Sequence, residues 1–150
     1  MVAMPSPEYA RKLGETLYQM AGLEWLAIEV IRRLDPSTCI DRLAGLTAHG
    51  IATELTSKVS HAQGLDIAQR NEPVAIAEDY AGLPPLRNDT AHARPATTPD
   101  GRQQLYRWAP TKSAFVGFID DAFLDQLSAD IGDVHRKLDA TRSWLPYLQA

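Results

Sequence analysis

Apolar side chains recur every three or four positions along the N-terminal part of the chain, which is the spacing of one helix face. Ser6 can cap such a helix, Pro7 suits its first turn, and Asp35-Pro36 ends the pattern. The sequence therefore predicts one long helix over residues 7 to 34. Its apolar stripe consists of Leu13, Leu17, Met20, Ala27, Ile31 and Leu34.

A carboxylate interrupts this stripe at Glu24. A carboxylate that faces a core needs a partner or water, because an unpaired buried charge is strongly unfavourable. In one interpretation, which we favour, the helix is slightly rotated and Glu24 lies at the edge of the stripe. In the other, Glu24 orients Arg87 or another group of a functional site.

Shorter helices are expected in the middle of the chain. The apolar spacing predicts a second helix within residues 40 to 46, a break or bend at 47 to 50, and a third helix over about 51 to 60. Residues 64 to 82 are expected to be helical with one interruption at 71 to 73, because a proline inside a helix removes a backbone donor.

Pro84-Pro85 suits the first turn of a further helix, where a missing N–H is harmless. That helix would place Arg87 and Asn88 near its positive end, which favours a bound phosphate. Pro95 and the turn at Pro99-Asp100-Gly101 are expected to end it.

Aromatic and β-branched residues are enriched over 103 to 108 and 114 to 119 taken together, which predicts a β-hairpin. Because two strands alone are marginally stable, the hairpin is expected to lie against the helices. Stacking on RNA bases is the alternative role for its rings. These rings are Tyr106, Trp108, Phe115 and Phe118.

A last helix is predicted from Asp120-Asp121 to about Trp144. Its apolar residues alternate steps of four and three, which indicates a seam in a helix bundle. The whole pattern predicts a mainly α fold, a helical bundle of about five helices with a small β-hairpin before the C-terminal helix. With 150 residues, the chain is expected to form a single domain.

The composition is that of a globular protein, with 45% hydrophobic and 23% charged residues. Cys39 is the only cysteine, which excludes an intramolecular disulfide and a thiolate metal cluster and favours a reducing compartment. The sequence has neither an apolar stretch approaching about 18 residues nor a secretory leader pattern. We therefore expect a cytoplasmic protein with no membrane partner.

The net charge of −4 argues against the broad basic surface of general nucleic-acid binders. Any RNA contact is expected to be local. The stretch from 87 to 107 is locally positive, because four arginines stand there against Asp89 and Asp100. The four are Arg87, Arg94, Arg102 and Arg107.

Arg87 and His92 stand five positions apart among small and polar residues. Arginine is a permanent cation whose planar fork suits phosphate, and histidine exchanges a proton near neutral pH. Together they supply two functions that phosphodiester cleavage needs, neither of which requires a metal or cofactor. On an ideal helix the two side chains are roughly 140° apart. A two-fold dimer could bring both copies of each into one cleft, and a local helix distortion is the other solution.

This motif resembles the Arg-X(4 to 6)-His signature of the HEPN domains, with polar Asn88 directly after the arginine and small Ala91 before the histidine. The resemblance implies a compact α-helical module, here residues 1 to 150, that pairs through its motif helices. Many such domains are metal-independent ribonucleases in toxin–antitoxin and defence systems. Arg94 stands where the nucleotidylated HEPN subgroup has a tyrosine, so tyrosine AMPylation is not expected.

The favoured hypothesis is a homodimeric, metal-independent endoribonuclease, a toxin or defence effector, with Arg87, His92 and Asn88 as catalytic residues. Arg94 and Arg102 are candidate RNA-binding residues. RNA is the expected substrate, an antitoxin or regulatory protein is a further partner, and no cofactor or metal is expected. The alternative is a non-catalytic HEPN-like dimer that binds a nucleotide or protein partner, with a buried Arg87 paired to Asp89, Glu78 or Glu24. A third interpretation is an unrelated helical bundle.

Overall fold

The computed structural model describes residues 3–109 and 114–145. Over these residues, five helices lead into three strands, and a long helix follows the strands. The elements in chain order are α1 (Pro7–Leu34), α2 (Ile40–Ala44), α3 (Ala48–Ser60), α4 (Ile67–Ala81), α5 (Leu83–Ala91), β1 (Arg94–Thr97), β2 (Gln103–Ala109), β3 (Ala114–Ile119) and α6 (Asp121–Trp144).

The two long helices have the predicted boundaries. α1 begins after Ser6, whose hydroxyl accepts the Tyr9 N–H at 3.2 Å, and ends at Asp35. α6 begins after Asp120, whose carboxylate accepts the Phe123 N–H at 2.8 Å. Both helices combine a side-chain cap with a long apolar stripe, so local chemistry and packing favour the same structure.

Three boundaries in the middle of the chain differ from the prediction. One is the end of α5, which lies at Ala91, ahead of Pro95. α3 begins at Ala48, because Thr47 caps it by accepting the Gly50 N–H at 3.1 Å, so the predicted bend is its first turn. α4 is continuous through Pro73, so the predicted interruption at 71 to 73 is wrong. The proline removes one backbone donor, but its ring is buried, and the packing of that ring offsets the loss.

The predicted hairpin is part of a three-stranded antiparallel sheet with the order β1-β2-β3. β2 pairs with β3 as expected, and β1 adds an edge strand in which Pro95 lies opposite Leu105. A proline is tolerated at a sheet edge, because the outer side of an edge strand needs no N–H. The mainly α fold with a small β element before the C-terminal helix is confirmed.

The main apolar core lies among the long helices. α1 packs along α6 and α3, and α4 lies against α3 and α6. α5 contacts α3, α4 and α6 on one side and β2 on the other, so the motif helix joins the bundle to the sheet. Fully buried side chains of this core include Leu23, Ile31, Leu55, Ile131 and Leu138.

A smaller apolar cluster attaches the sheet to the bundle through Tyr9, Ile119 and Leu124, with Leu105 packed at its edge. The Tyr9 hydroxyl donates to the Ile119 carbonyl at 2.7 Å and accepts the Leu105 N–H at 3.0 Å. This one side chain therefore ties α1 to two strands.

Three of the aromatic rings that the sequence singled out do not form this junction. Tyr106 and Phe118 lie opposite one another on neighbouring strands, with ring centroids 4.7 Å apart, and both are half-buried. Trp108 is 40% exposed. Successive strand residues face opposite sides, so aliphatic residues take the inner face instead. The Phe115 side chain lies outside the described residues.

Candidate active site

α5 holds the motif against the bundle. Gly82 ends α4 and begins α5, and the consecutive prolines occupy the first turn of α5, as the sequence predicts. Leu83 is buried at the start of the helix and Thr90 near its end. Between these two anchors the half-buried side chains of Arg87 and Asn88 lie at the protein surface.

The Arg87 guanidinium has two neighbours. Its Nη1 donates to the Asn88 side-chain oxygen at 3.1 Å. Its Nε lies 3.9 Å from a Glu24 carboxylate oxygen, close enough for an ion pair and too far for a hydrogen bond. Neither contact uses Nη2, and the side chain is 38% exposed. The arginine is thus restrained by two partners yet accessible to a phosphate.

Asn88 connects the two halves of the motif. Its side-chain oxygen accepts from Arg87, and its backbone carbonyl accepts the His92 N–H at 3.0 Å. His92 is the residue that ends α5, and its side chain is exposed. Within the described residues, no hydrogen bond or ion pair joins the Arg87 and His92 side chains. One copy of the helix therefore does not bring both groups into contact.

Glu24 lies at the edge of the buried face of α1, as the favoured interpretation expected, and from there it faces Arg87. The buried face is rotated toward Leu23 and Val30, and Leu17 of the predicted stripe is 38% exposed. Its side chain is 18% exposed, and Oε1 is buried without a hydrogen-bond partner in the described part of the chain. Burial raises the pKa of Glu24, and the positive charge of Arg87 opposes that rise. The carboxylate is therefore held at the motif at an electrostatic cost.

Tyr80 of α4 lies in the same electrostatic environment. It is fully buried, and its hydroxyl has no hydrogen-bond partner among residues 3–109 and 114–145. Burial raises the pKa of Tyr80, the charge of Glu24 raises it further, and Arg87 lowers it. Glu24, Tyr80 and Arg87 form a cluster, here called the inner cluster, in which two buried oxygens lie near one guanidinium.

A second ion pair fixes the other side of the motif helix. Asp89 lies 3.8 Å from Nη1 of Arg107 on β2. The Arg107 guanidinium carbon also lies 4.9 Å from the centre of the Phe123 ring on α6. Arg107 therefore joins α5, the sheet and the last helix at one point.

The two candidate RNA-binding arginines lie at opposite ends of β1. Arg94 is exposed at the start of the strand, two residues after His92. Arg102 lies beyond the other end, with its Nε 2.8 Å from Asp100, and β1 alone separates them by about 10 Å. The structure places Arg94 beside the motif and does not bring Arg102 to it.

The sequence pattern indicated Glu24 but missed two contributors. Tyr80 was expected only as an inner-face residue of its helix, and its proximity to two charges depends on how α1, α4 and α5 pack. The pairing of Asp89 with Arg107 also joins elements distant in sequence. Within the inner cluster, the motif indicated Arg87 and the interrupted apolar stripe indicated Glu24, whereas Tyr80 had no comparable signal.

A groove of about 660 Å³ lies away from the motif, between the C-terminal part of α1, α2 and α6. Trp25, Ile40, Arg32 and Arg142 contribute to its walls, and no motif residue does. Among the described residues, no group of three or more His, Cys, Asp and Glu side chains is arranged to hold a metal ion.

Comparison with protein-family models, with curated proteins and with solved structures gives no match for this chain. In the described part of the chain, no helix combines the length and apolar character needed to cross a membrane. The chemistry of the motif and its surroundings is therefore the basis for a proposed function.

Proposed function

We propose that this protein is a metal-independent endoribonuclease of the HEPN type, with an active site built from Arg87, Asn88 and His92 at a homodimer interface. The observation that supports it most is the state of the Arg87 guanidinium, which is half-exposed and held by Asn88 and Glu24 through contacts that do not use Nη2. The restrained, half-exposed arginine and the exposed histidine have the accessibility that a surface-bound RNA requires.

In the proposed reaction, His92 removes the proton from a ribose 2′-hydroxyl, whose oxygen attacks the adjacent phosphorus. A bond from O2′ to phosphorus forms and the bond from phosphorus to O5′ breaks, with a protonated His92 returning a proton to the leaving oxygen. Arg87 stabilises the added negative charge on the phosphoryl oxygens. Asn88 fixes Arg87 through its side chain.

A dimer would bring an arginine and a histidine of the motif to the same phosphate. Arg87 and His92 of one copy diverge around α5 and share no side-chain contact, so one copy does not present both to a single phosphate. Two motif helices related by a two-fold axis would place Arg87 of one copy near His92 of the other. Arg94, exposed directly after the motif, would then contact the RNA backbone.

The cellular role proposed is that of a toxin or defence effector in the cytoplasm, regulated by an antitoxin or another protein. This part rests on the resemblance of the motif to the HEPN signature. The reducing compartment that a single cysteine favours is consistent with it.

The test is cleavage of labelled total RNA and tRNA in EDTA by wild type, Arg87→Ala and His92→Ala. We expect each substitution to lower kcat/KM by about 10²-fold to 10⁴-fold, as loss of a general acid–base group or an oxyanion donor does. Arg136→Ala and His135→Ala, two exposed residues of α6, are the matched controls and should retain full activity. Equal cleavage by all variants would refute the proposal.

The alternative, a non-catalytic dimer that binds a nucleotide or protein partner, is favoured by one observation. Arg87 contacts Glu24, as expected of an arginine with a structural role. That function predicts that Arg87→Ala unfolds more easily than wild type and that no variant differs in RNA cleavage. Urea unfolding beside the cleavage assay separates the two functions.

A further inference from the structure

The inner cluster places two buried oxygens beside the motif arginine without satisfying either of them. Glu24 Oε1 and the Tyr80 hydroxyl are both buried without hydrogen-bond partners in the described residues. An unsatisfied buried polar atom normally destabilises a fold. Neither oxygen is needed to hold the bundle together, because the helices that carry them pack through apolar residues.

The carboxylate acts on the arginine directly, because Glu24 Oε1 lies 3.9 Å from the Arg87 Nε, within ion-pair range. The guanidinium is planar, so an attraction on its Nε edge and a hydrogen bond from Nη1 to Asn88 together fix the orientation of the whole plane. Nη2 then remains for a ligand.

Resting on the proposed function, we infer that Glu24 is a positioning residue for Arg87. The buried carboxylate holds the Nε edge of the guanidinium toward the bundle, and the Nη2 donors are presented to an RNA phosphate. Glu24 does not touch the substrate.

Polar groups that act in this way reduce stability in exchange for a fixed site. A structural ion pair would do the opposite, because its removal would destabilise the fold. A positioning role therefore predicts that removing the Glu24 charge loosens Arg87 and lowers kcat. The free energy of unfolding should stay the same or rise.

The experiment compares Glu24→Gln and Tyr80→Phe with wild type, using the full chain. Each substitution keeps the shape of the side chain and removes one charge or one hydroxyl. Glu29→Gln is the matched control, since Glu29 lies on the same helix, is 57% exposed and pairs with Arg142. The first measurement needs no RNA and records by NMR how fast the Arg87 Nε–H proton exchanges with water, with the resonance assigned by its loss in Arg87→Lys.

We expect faster exchange of the Arg87 Nε–H in Glu24→Gln and unchanged exchange in Glu29→Gln. The second measurement is RNA cleavage at saturating and limiting substrate. Glu24→Gln should lower kcat by about 10-fold to 100-fold, the effect of a displaced catalytic group, with a smaller change in KM. Tyr80→Phe should leave kcat and the Arg87 Nε–H exchange close to wild type, because the Tyr80 hydroxyl makes no hydrogen bond in the described residues.

Unchanged Nε–H exchange together with an unchanged kcat in Glu24→Gln would overturn the inference and leave the ribonuclease proposal intact. Reduced stability of Glu24→Gln with unchanged exchange would also overturn it, in favour of a structural ion pair. If wild type cleaves no RNA while Glu24→Gln still frees the Arg87 Nε–H, the ribonuclease proposal fails and the positioning of Arg87 stands.

Discussion

Tyr9 and Tyr80 are both buried tyrosines, but their hydroxyls have opposite surroundings. The Tyr9 hydroxyl makes two hydrogen bonds to strand backbone and joins the sheet to α1. The Tyr80 hydroxyl has no hydrogen-bond partner in the described residues and lies near Glu24 and Arg87. The first arrangement stabilises the fold. The second leaves polar atoms unsatisfied beside the group for which we propose chemistry.

The contrast indicates where a functional site lies in this molecule. A buried polar side chain that makes all of its hydrogen bonds has a sufficient structural role. A buried polar side chain whose bonds are incomplete requires another explanation, and here two such side chains lie at the motif arginine. If this difference between the two tyrosine environments reflects function, substitutions in the two regions should have different effects on cleavage and on stability.

Arg87→Lys should have the largest effect. Lysine keeps the positive charge but lacks the planar fork, so it cannot contact Glu24 and Asn88 and still present a donor pair to phosphate. We expect cleavage to fall by about 10²-fold to 10³-fold. The check is single-turnover RNA cleavage, and Arg136→Lys serves as the control. Near-normal cleavage by Arg87→Lys would show that charge alone suffices.

Tyr9→Phe and Tyr80→Phe should change stability in different directions. Tyr9→Phe removes the hydroxyl that accepts the Leu105 N–H and donates to the Ile119 carbonyl. Because both backbone groups lose this hydrogen bond, we expect the free energy of unfolding to fall by about 2 kcal/mol. Tyr80→Phe removes an unsatisfied hydroxyl and should keep or raise that free energy, by up to about 1 kcal/mol. Urea unfolding midpoints at constant m-value measure both. If the two substitutions lowered the free energy of unfolding equally, the proposed difference between Tyr9 and Tyr80 would be refuted.

Glu24→Gln should change how stability depends on pH. Burial raises the pKa of Glu24, so its contribution to stability is fully present below the ordinary carboxyl pKa near 4.5 and is lost as pH rises through the folded-state pKa. The charged groups facing it do not titrate in this range, because Arg87 stays charged and the pKa of Tyr80 is raised.

Glutamine does not titrate, so Glu24→Gln should gain stability relative to wild type as pH rises from about 4 to 8. Urea unfolding at intervals across that range gives the difference, with Glu29→Gln as the exposed control. If Glu24→Gln became less stable than wild type as pH rises, the attraction of Arg87 for the Glu24 carboxylate would exceed the cost of burying that charge.

The sequence predicted the two long helices well because caps, apolar spacing and stops all agree at Ser6, Asp35 and Asp120. It missed β1, since Pro95 is typical both of a helix end and of an edge strand, and only pairing with β2 distinguishes the two. It also predicted an interruption at Pro73 that packing overrides.

The candidate site was predictable in part. The motif residues and the start of their helix follow from local sequence, because Pro84-Pro85 favours a helix directly before Arg87. The contacts of Arg87 with Glu24, and of Asp89 with Arg107, join elements distant in sequence. Such contacts depend on how helices and strands pack, which the spacing of residues along one helix does not specify.

RNA cleavage by mixed subunits decides whether Arg87 and His92 form a shared active site. Arg87→Ala and His92→Ala are each purified, tested alone in EDTA, then unfolded and refolded together so that subunits exchange. We predict that wild type cleaves labelled RNA, that each variant alone is nearly inactive, and that the mixture regains activity because mixed dimers contain one intact arginine and one intact histidine. Equal cleavage by wild type and both separate variants would contradict the proposed site, and inactive variants whose mixture stays inactive would contradict its division between subunits.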